Sequence, residues 1–296
     1  MHRRFWFVIG LFIAGSALAA DEPRYFFYRA VKGDVTLYLL GSMHMGRPGD
    51  ADYPEKVYGA LRQSRLLILE GEVRKDKIRT PDMSLTYLPA GKTITGLLTP
   101  GEKSQLEKVC EKLGVRLETF ERFEPWFLEF MFGYRMAFNQ GFVLEYGTEH
   151  RLLRYIEKKM PAASRPGVFA LAASDEVLRI MHMLPLAAQL KRFRTFLAYS
   201  DKAGGSTAPE MQESWRNGDD EQVLKIFNYY YNETAAESSL FVQKILYDRN
   251  ARMAERLGLI SRYAGQYFFV TGAMHLIGEK SILTHLRKAG FKIERL

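Results

Sequence analysis

Three short apolar runs punctuate a chain that is otherwise amphipathic. They are Val35-Thr36-Leu37-Tyr38-Leu39-Leu40, Arg65-Leu66-Leu67-Ile68-Leu69 and Gln266-Tyr267-Phe268-Phe269-Val270-Thr271. Each stops abruptly, at Gly41, at Glu70-Gly71-Glu72 and at Gly272. Nearly continuous hydrophobicity between turn residues predicts strands covered on both faces, as in a parallel sheet. Helical spacing of apolar residues follows from Pro54 to Ser64 and again from Lys280 to Ala289. Strand, helix, strand with a short crossover predicts a βαβ unit.

From about Thr99 to Leu257 the helical period dominates. Pro100 and Gly101 precede a helix over Glu102 to Leu113, which Gly114 stops in the C-cap position. Phe123 to Asn139 carries aromatics and Met at helical spacing, which marks core. Ala203 to Pro209 reads as a loop, and Glu221 to Tyr231 and Ala235 to Leu257 as helices. One strand candidate, Gly167 to Leu171, interrupts this region. The expectation is an α/β fold on a mostly parallel sheet, one domain over residues 21–296 with a large helical insertion at about 99–257.

The N-terminus changes the expected compartment. Met1-His2-Arg3-Arg4 is cationic, Phe5 to Ala14 is apolar, and Ala17-Leu18-Ala19 supplies an A-x-A site. These parts predict a secretory signal peptide over residues 1–20, cleaved after Ala19 or Ala20, and a bacterial periplasmic destination. No later stretch approaches the ~20 uncharged apolar residues of a membrane span, so no stable span is expected after cleavage.

Composition adds exclusions. The chain has 296 residues, 47% hydrophobic and 26% charged, which excludes disordered, collagen-like and many-pass membrane classes. The formal charge of +8 falls to +6 once Arg3 and Arg4 are removed. No nucleic-acid-binding motif accompanies that charge, so nucleic acid is not an expected partner. The densest basic patch (Arg62, Arg65, Arg74, Lys75, Lys77 and Arg79) reads as a solvated face. The single Cys110 rules out a disulfide framework within the chain and reads as a buried, inert thiol.

The chemistry lies in a duplicated motif. Leu39-Leu40-Gly41-Ser42-Met43-His44 resembles Val270-Thr271-Gly272-Ala273-Met274-His275, and each copy follows a predicted strand. In open α/β sheets ligands bind at the carboxyl ends of the strands, where both histidines would stand. Glu70 and Glu72 reach the same edge if the strands are parallel. Two imidazoles with one or two carboxylates suit a divalent metal ion with open positions. The same groups without metal suit a general-base site, and a strand-end histidine can also be purely structural. His150, His182 and His285 lie in predicted helices without partners at metal-ligand spacing. No Gly-x-Ser-x-Gly elbow or phosphate loop is present.

These residues resemble the TraB/GumN family, related to the TIKI proteases and more distantly to erythromycin-esterase-like enzymes. The resemblance also covers Leu67-Ile68-Leu69-Glu70, Leu88 to Ile94, Glu124-Pro125-Trp126, Trp215-Arg216-Asn217-Gly218-Asp219 and Asp248-Arg249-Asn250-Ala251-Arg252-Met253. It implies a metal-dependent hydrolase, peptidase- or esterase-like, acting on a small-molecule or peptide substrate. It implies His44, His275 and Glu70 as ligands of a Mn, Co or Zn ion, Glu70 and Arg249 as catalytic groups, and Gly41, Ser42, Gly272, Glu149 and Arg249 at the substrate. Arg249 would hold a substrate carboxylate or a developing oxyanion.

Two departures stand out. Gly147-Thr148-Glu149 replaces a Gly-x-Asp and is one methylene longer. Leu171-Ala172 stands where the family has Leu-Glu, so a carboxylate is lost unless Asp175 or Glu176 replaces it. That loss supports an alternative reading, an impaired member acting as a ligand-binding or regulatory protein.

Overall fold

The computed structural model describes residues 23–78, 80–202, 207–231, 240–260 and 262–296. The leader expected over residues 1–20 lies outside the described residues. So do Arg79, most of the loop expected from Ala203 and the start of the helix expected from Ala235.

Six strands form one sheet in the order β4-β3-β5-β2-β1-β6. The four expected runs are β2 (Val35–Ser42), β3 (Leu66–Gly71), β4 (Gly167–Ala172) and β5 (Gly265–Gly272), all mutually parallel. Helix α1 (Glu55–Gln63) makes the crossover between β2 and β3. Two further strands, β1 (Phe27–Lys32) and β6 (Lys292–Arg295), close the β2 side, with β1 antiparallel to both neighbours. Neither has a continuous apolar run. β1 mixes buried Phe27, Tyr28 and Ala30 with exposed Arg29, and β6 is four mostly exposed residues. Pairing with an existing sheet, rather than local pattern, makes them strands.

Because β4 belongs to the sheet, the helices of residues 99–257 fall into two long connections. Between β3 and β4 run α2 (Pro100–Leu113), α3 (Pro125–Asn139) and α4 (Thr148–Lys159). Between β4 and β5 run α5 (Glu176–His182), α6 (Leu186–Lys202), α7 (Ala208–Asn217), α8 (Asp220–Tyr231) and α9 (Asp248–Ile260). A short α10 (Ile282–Lys288) precedes β6. Thr99 and Glu102 form a reciprocal capping box on α2, and Gly114 ends it in the left-handed region at φ 65°.

Apolar burial divides accordingly. The sheet core joins Leu37, Leu39, Ile68, Phe268 and Phe269 to α1, α4, α9 and α10. A separate helical core packs Leu106, Val109 and Cys110 of α2 against Phe132 of α3 and Phe193 and Leu197 of α6. Burial there pushes the Cys110 thiol up to about 11, as expected of an inert thiol. Glu124 fixes the start of α3 by accepting from Trp126 Nε1 at 2.5 Å and Gln189 Nε2 at 3.2 Å.

Candidate active site

Parallel pairing sets the two motifs side by side. In the β2–β5 ladder Gly41 faces Thr271 and Ser42 faces Gly272, and β3 pairs Leu69 with Val270 on the other side of β5. Glu70 therefore leaves β3 next to Thr271 and Gly272. The two glycines do different work. A Cβ on Gly41 would stand 2.7 Å from Phe26 Cβ and 3.1 Å from Ala273 Cα, so Gly41 serves close packing behind the site. Its carbonyl also accepts from Trp215 Nε1 at 2.8 Å. A Cβ on Gly272 would stand 3.4 Å from His44 Nε2, 3.5 Å from His275 Cδ2 and 3.7 Å from Glu70 Oε2. Those three side chains thus surround one point in front of β5.

Hydrogen bonds determine which atoms face that point. Asn250 Nδ2 donates to the Lys280 carbonyl at 2.8 Å, so its Oδ1 must accept from His275 Nδ1, at 2.5 Å. His275 then carries a proton on Nδ1 and turns Nε2 toward the site. Arg249 reaches both groups, its Nη1 lying 3.2 Å from His275 Nε2 and its Nη2 donating to Glu70 Oε1 at 2.6 Å. The other carboxylate oxygen, Oε2, accepts from Thr271 Oγ1 at 2.7 Å and from the Gly272 backbone N–H at 2.8 Å. Burial opposes ionisation of Glu70. The His275 imidazole and the Arg249 guanidinium outweigh it and hold the carboxyl well below the usual range.

His44 is held from the opposite side. Its Nδ1 donates to Glu149 Oε1 at 2.9 Å, with Ser42 Oγ 3.4 Å away. The Glu149 charge raises the His44 pKa to about 9 against the opposing effect of burial. Glu149 is itself destabilised as an anion by burial, yet the charge and hydrogen bond of His44 bring its carboxyl below the usual range. The His44 side chain keeps 57% of its surface accessible within the cleft, so water screens this pair. Glu149 acts by orienting His44 from beneath and does not line the main cavity.

These groups close one end of a cavity of about 630 Å³. His44, Glu70, Arg249 and His275 supply its polar end, with Ser42 and Gly272 beside them. Its remaining wall comes from the helices, including Gly133 and Ala137 of α3, Trp215 of α7 and Ile226 and Phe227 of α8. The turn before α9 is π-helical over Gln243–Tyr247, a local widening common at functional sites, and Ile245 and Leu246 stand in this wall.

A model of the TraB/PrgY/gumN family matches residues 26–295, nearly the whole described chain. The chain belongs to that family. Over 255 residues, 86% of this chain and 89% of the relative, it is 22% identical to the uncharacterized protein YbaP of Escherichia coli (strain K12). A shorter stretch of 61 residues is 36% identical to a metalloprotease TIKI homolog of Amphimedon queenslandica, covering 20% of this chain and 12% of that protein. Another of 54 residues is 43% identical to metalloprotease TIKI2 of Danio rerio, covering 18% and 10%. No solved structure matches significantly.

The metal implied by this family meets a divided answer here. Among the described residues no group of three His, Cys, Asp or Glu side chains is placed to hold a metal ion. Arg249 lies between two of the expected ligands, Glu70 Oε1 and His275 Nε2, which are 3.4 Å apart. The guanidinium is the fixed cation beside that carboxylate in this structure. The donor chemistry does fit a divalent ion. Both imidazoles spend Nδ1 on an acceptor and turn Nε2 toward the site, the arrangement that orients histidine ligands.

Three further placements bear on the family pattern. Ala172 does leave a gap at the end of β4, where a cavity of about 130 Å³ is shared with Glu70, Glu149, Glu176 and Arg249. Glu176 brings a carboxylate there, Oε2 standing 3.6 Å from Arg249 Nε, whereas Asp175 pairs with Arg179. Glu72 reaches this edge but is bound by Arg74 at 2.6 Å. Asn250 and Thr271 were given no role by sequence reasoning. Their adjacency to Arg249 and Gly272 was the available signal.

Gly147 explains why a glycine precedes Thr148 and Glu149. A Cβ there would collide with the backbone carbonyl of His44, while the Thr148 backbone N–H donates to the Met43 carbonyl at 3.0 Å. Gly147→Ala is therefore expected to cost about 1–3 kcal/mol through overpacking, measured by urea unfolding. It should also weaken the His44–Glu149 contact, seen as a lowered His44 pKa in an NMR titration.

Proposed function

We propose that this protein is a hydrolase of the bacterial periplasm that cleaves an amide or ester at its carbonyl, using a divalent metal ion. The observation that carries this reading is the convergence of His44, Glu70, Arg249 and His275 at the polar end of one cavity. The local similarity to proteins named metalloproteases supports hydrolysis as the reaction class. The leader-like residues 1–20 support export.

His44, His275 and Glu70 would hold the ion, which when bound supplies a Lewis acid and a water of lowered pKa. The chain's own residues do the rest. Arg249 offers rigid planar donors, aimed by Glu70 and Glu176, and binds the carbonyl oxygen where negative charge develops. Glu149 and Asn250 keep the Nε2 atoms of His44 and His275 facing the substrate. Thr271 and the Gly272 N–H hold Glu70 ionised and fixed in direction. The apolar wall excludes bulk water from the scissile bond.

Metal analysis of the purified protein tests the reading. One equivalent of Mn, Co or Zn is expected, with loss in both His44→Ala and His275→Ala, and hydrolysis of an amide or ester panel that disappears in Glu70→Gln. The gap at Ala172 favours a second reading, a binding protein that retains the fold. Wild-type protein loaded with each metal that turns over no amide or ester would overturn hydrolysis in favour of that second reading.

A further inference from the structure

Beyond the polar cluster the described lining offers a substrate few groups to hydrogen-bond, chiefly Thr207. Its remaining wall is dominated by Phe196, Met211, Val223, Ile226, Phe227 and Leu246. The one charged group there among the described residues, Glu129, is already bound by Arg192 at 2.5 Å. A peptide arm would carry an N–H and a C=O per residue into this space and leave most of them unpaired, at a cost in affinity for each. A hydrocarbon arm has no such groups to satisfy.

A second observation concerns Gly133, at the middle of α3 and on the cavity wall. Glycine is the least favourable helix-interior residue apart from proline, so a packing reason is normally sought. None is present, because a Cβ on Gly133 would meet no atom within 4 Å. What a side chain at this position would occupy is the cavity itself. Ala137, one turn further on, is small at the same face. The helix thus leaves open a space of a size that holds ligands of drug dimensions, about 300–1,000 Å³.

We propose that the substrate is an acyl amphiphile, an ester or amide of a fatty acid, whose carbonyl lies at Arg249 and whose hydrocarbon chain fills the cavity beside Gly133. This rests on the hydrolase reading above. In the reaction the acyl C–O or C–N bond breaks, the oxygen of water bonds to the carbonyl carbon, and a proton passes to the departing alcohol or amine. The products are a fatty acid and that alcohol or amine.

The test separates chain binding from turnover. Dansyl-undecanoic acid, which cannot be hydrolysed, reports binding by its fluorescence. It is expected to bind the wild type and to bind Gly133→Phe at least tenfold more weakly. Gly133→Leu, a better helix former, should weaken it in the same direction, and Gly133→Ala should bind as the wild type does. With acetyl, butyryl, octanoyl and dodecanoyl nitrophenyl esters, kcat/KM should rise about three- to fourfold per added CH2 until the cavity is full, the factor that corresponds to about 0.8 kcal/mol for each buried CH2. Probe binding without turnover of any ester or amide would sustain the acyl cavity and sink the hydrolase reading. Turnover that ignores chain length, with no probe binding, would overturn the acyl proposal alone. Turnover confined to peptides would overturn it in favour of a peptide arm.

Discussion

Replacing Arg249 with methionine should destabilise the protein by about 3–5 kcal/mol, the usual consequence of stranding one partner of a buried ion pair. The Arg249 side chain is 6% exposed and that of Glu70 11%, so water cannot take the place of the missing cation. The variant leaves Glu70 Oε1 with His275 Nε2, 3.4 Å away, in place of the guanidinium. The penalty should carry a pH signature. The Glu70 pKa is depressed in the folded state, so its contribution is present above the unfolded value near 4.5 and is lost as pH falls through the lower folded value. In Arg249→Met the carboxyl keeps the His275 contribution and loses that of Arg249, so the acid side of the stability curve flattens in part. Urea unfolding across the acidic range measures both effects. A double variant that also carries Glu70→Leu should recover part of the loss, because the two residues share one interaction. Within the proposed reaction, kcat should fall by about 10²–10³, the cost of removing one donor to a developing oxyanion. An Arg249→Met protein as stable as the wild type would show that the pair is not buried as described.

Changing Glu149 to glutamine should move the titration of His44 from about 9 toward its ordinary 6.5. The Glu149 charge is the largest cause of the elevation, and without it burial is opposed chiefly by the Glu70 charge. NMR of the imidazole resonances in metal-free protein reads this directly. The linkage runs opposite to that of Glu70. His44 has its pKa raised in the folded state, so the pair contributes fully below pH 6.5 and is lost as pH rises toward about 9. Because the His44 side chain is more than half exposed, the accompanying change in stability should be small and the pKa is the better readout. If His44 must shed its Nε2 proton to take part in hydrolysis, kcat/KM of the wild type climbs up to about pH 9. The climb in Glu149→Gln should then be complete near neutrality. A pH profile unchanged by the substitution would remove His44 from the reaction.

The sheet's interior was legible because β2, β3 and β5 are buried on both faces, and continuous apolar runs leave a local trace. The antiparallel strand β1 and the edge strand β6 beside it left none. β1 interleaves Arg29 and Lys32 with its apolar residues and β6 is four residues long, so only pairing with β2 and with each other makes them strands. The candidate site divides in the same way. His44 and His275 announce themselves by repetition after strand-ending glycines, and Glu70 by interrupting an apolar run. Glu176 comes into view only through the departure at Leu171-Ala172, and Asn250 carries no mark of its own, being one polar residue among many on a helix.

Residue order alone thus determined the strand ends, the paired histidines and, for a parallel sheet, the expectation that Glu70 joins them, because the limits of a buried strand follow from local pattern. Only the tertiary structure decided that Arg249, 179 positions from Glu70 in sequence, is buried against it. Only there does Gly41 turn out to serve packing while Gly272 faces the site. Helix α3 likewise shows an open face at Gly133 solely once it is packed among the helices beside the cavity. Ion pairs and cavities are relations between surfaces far apart in the chain, so no local pattern records them.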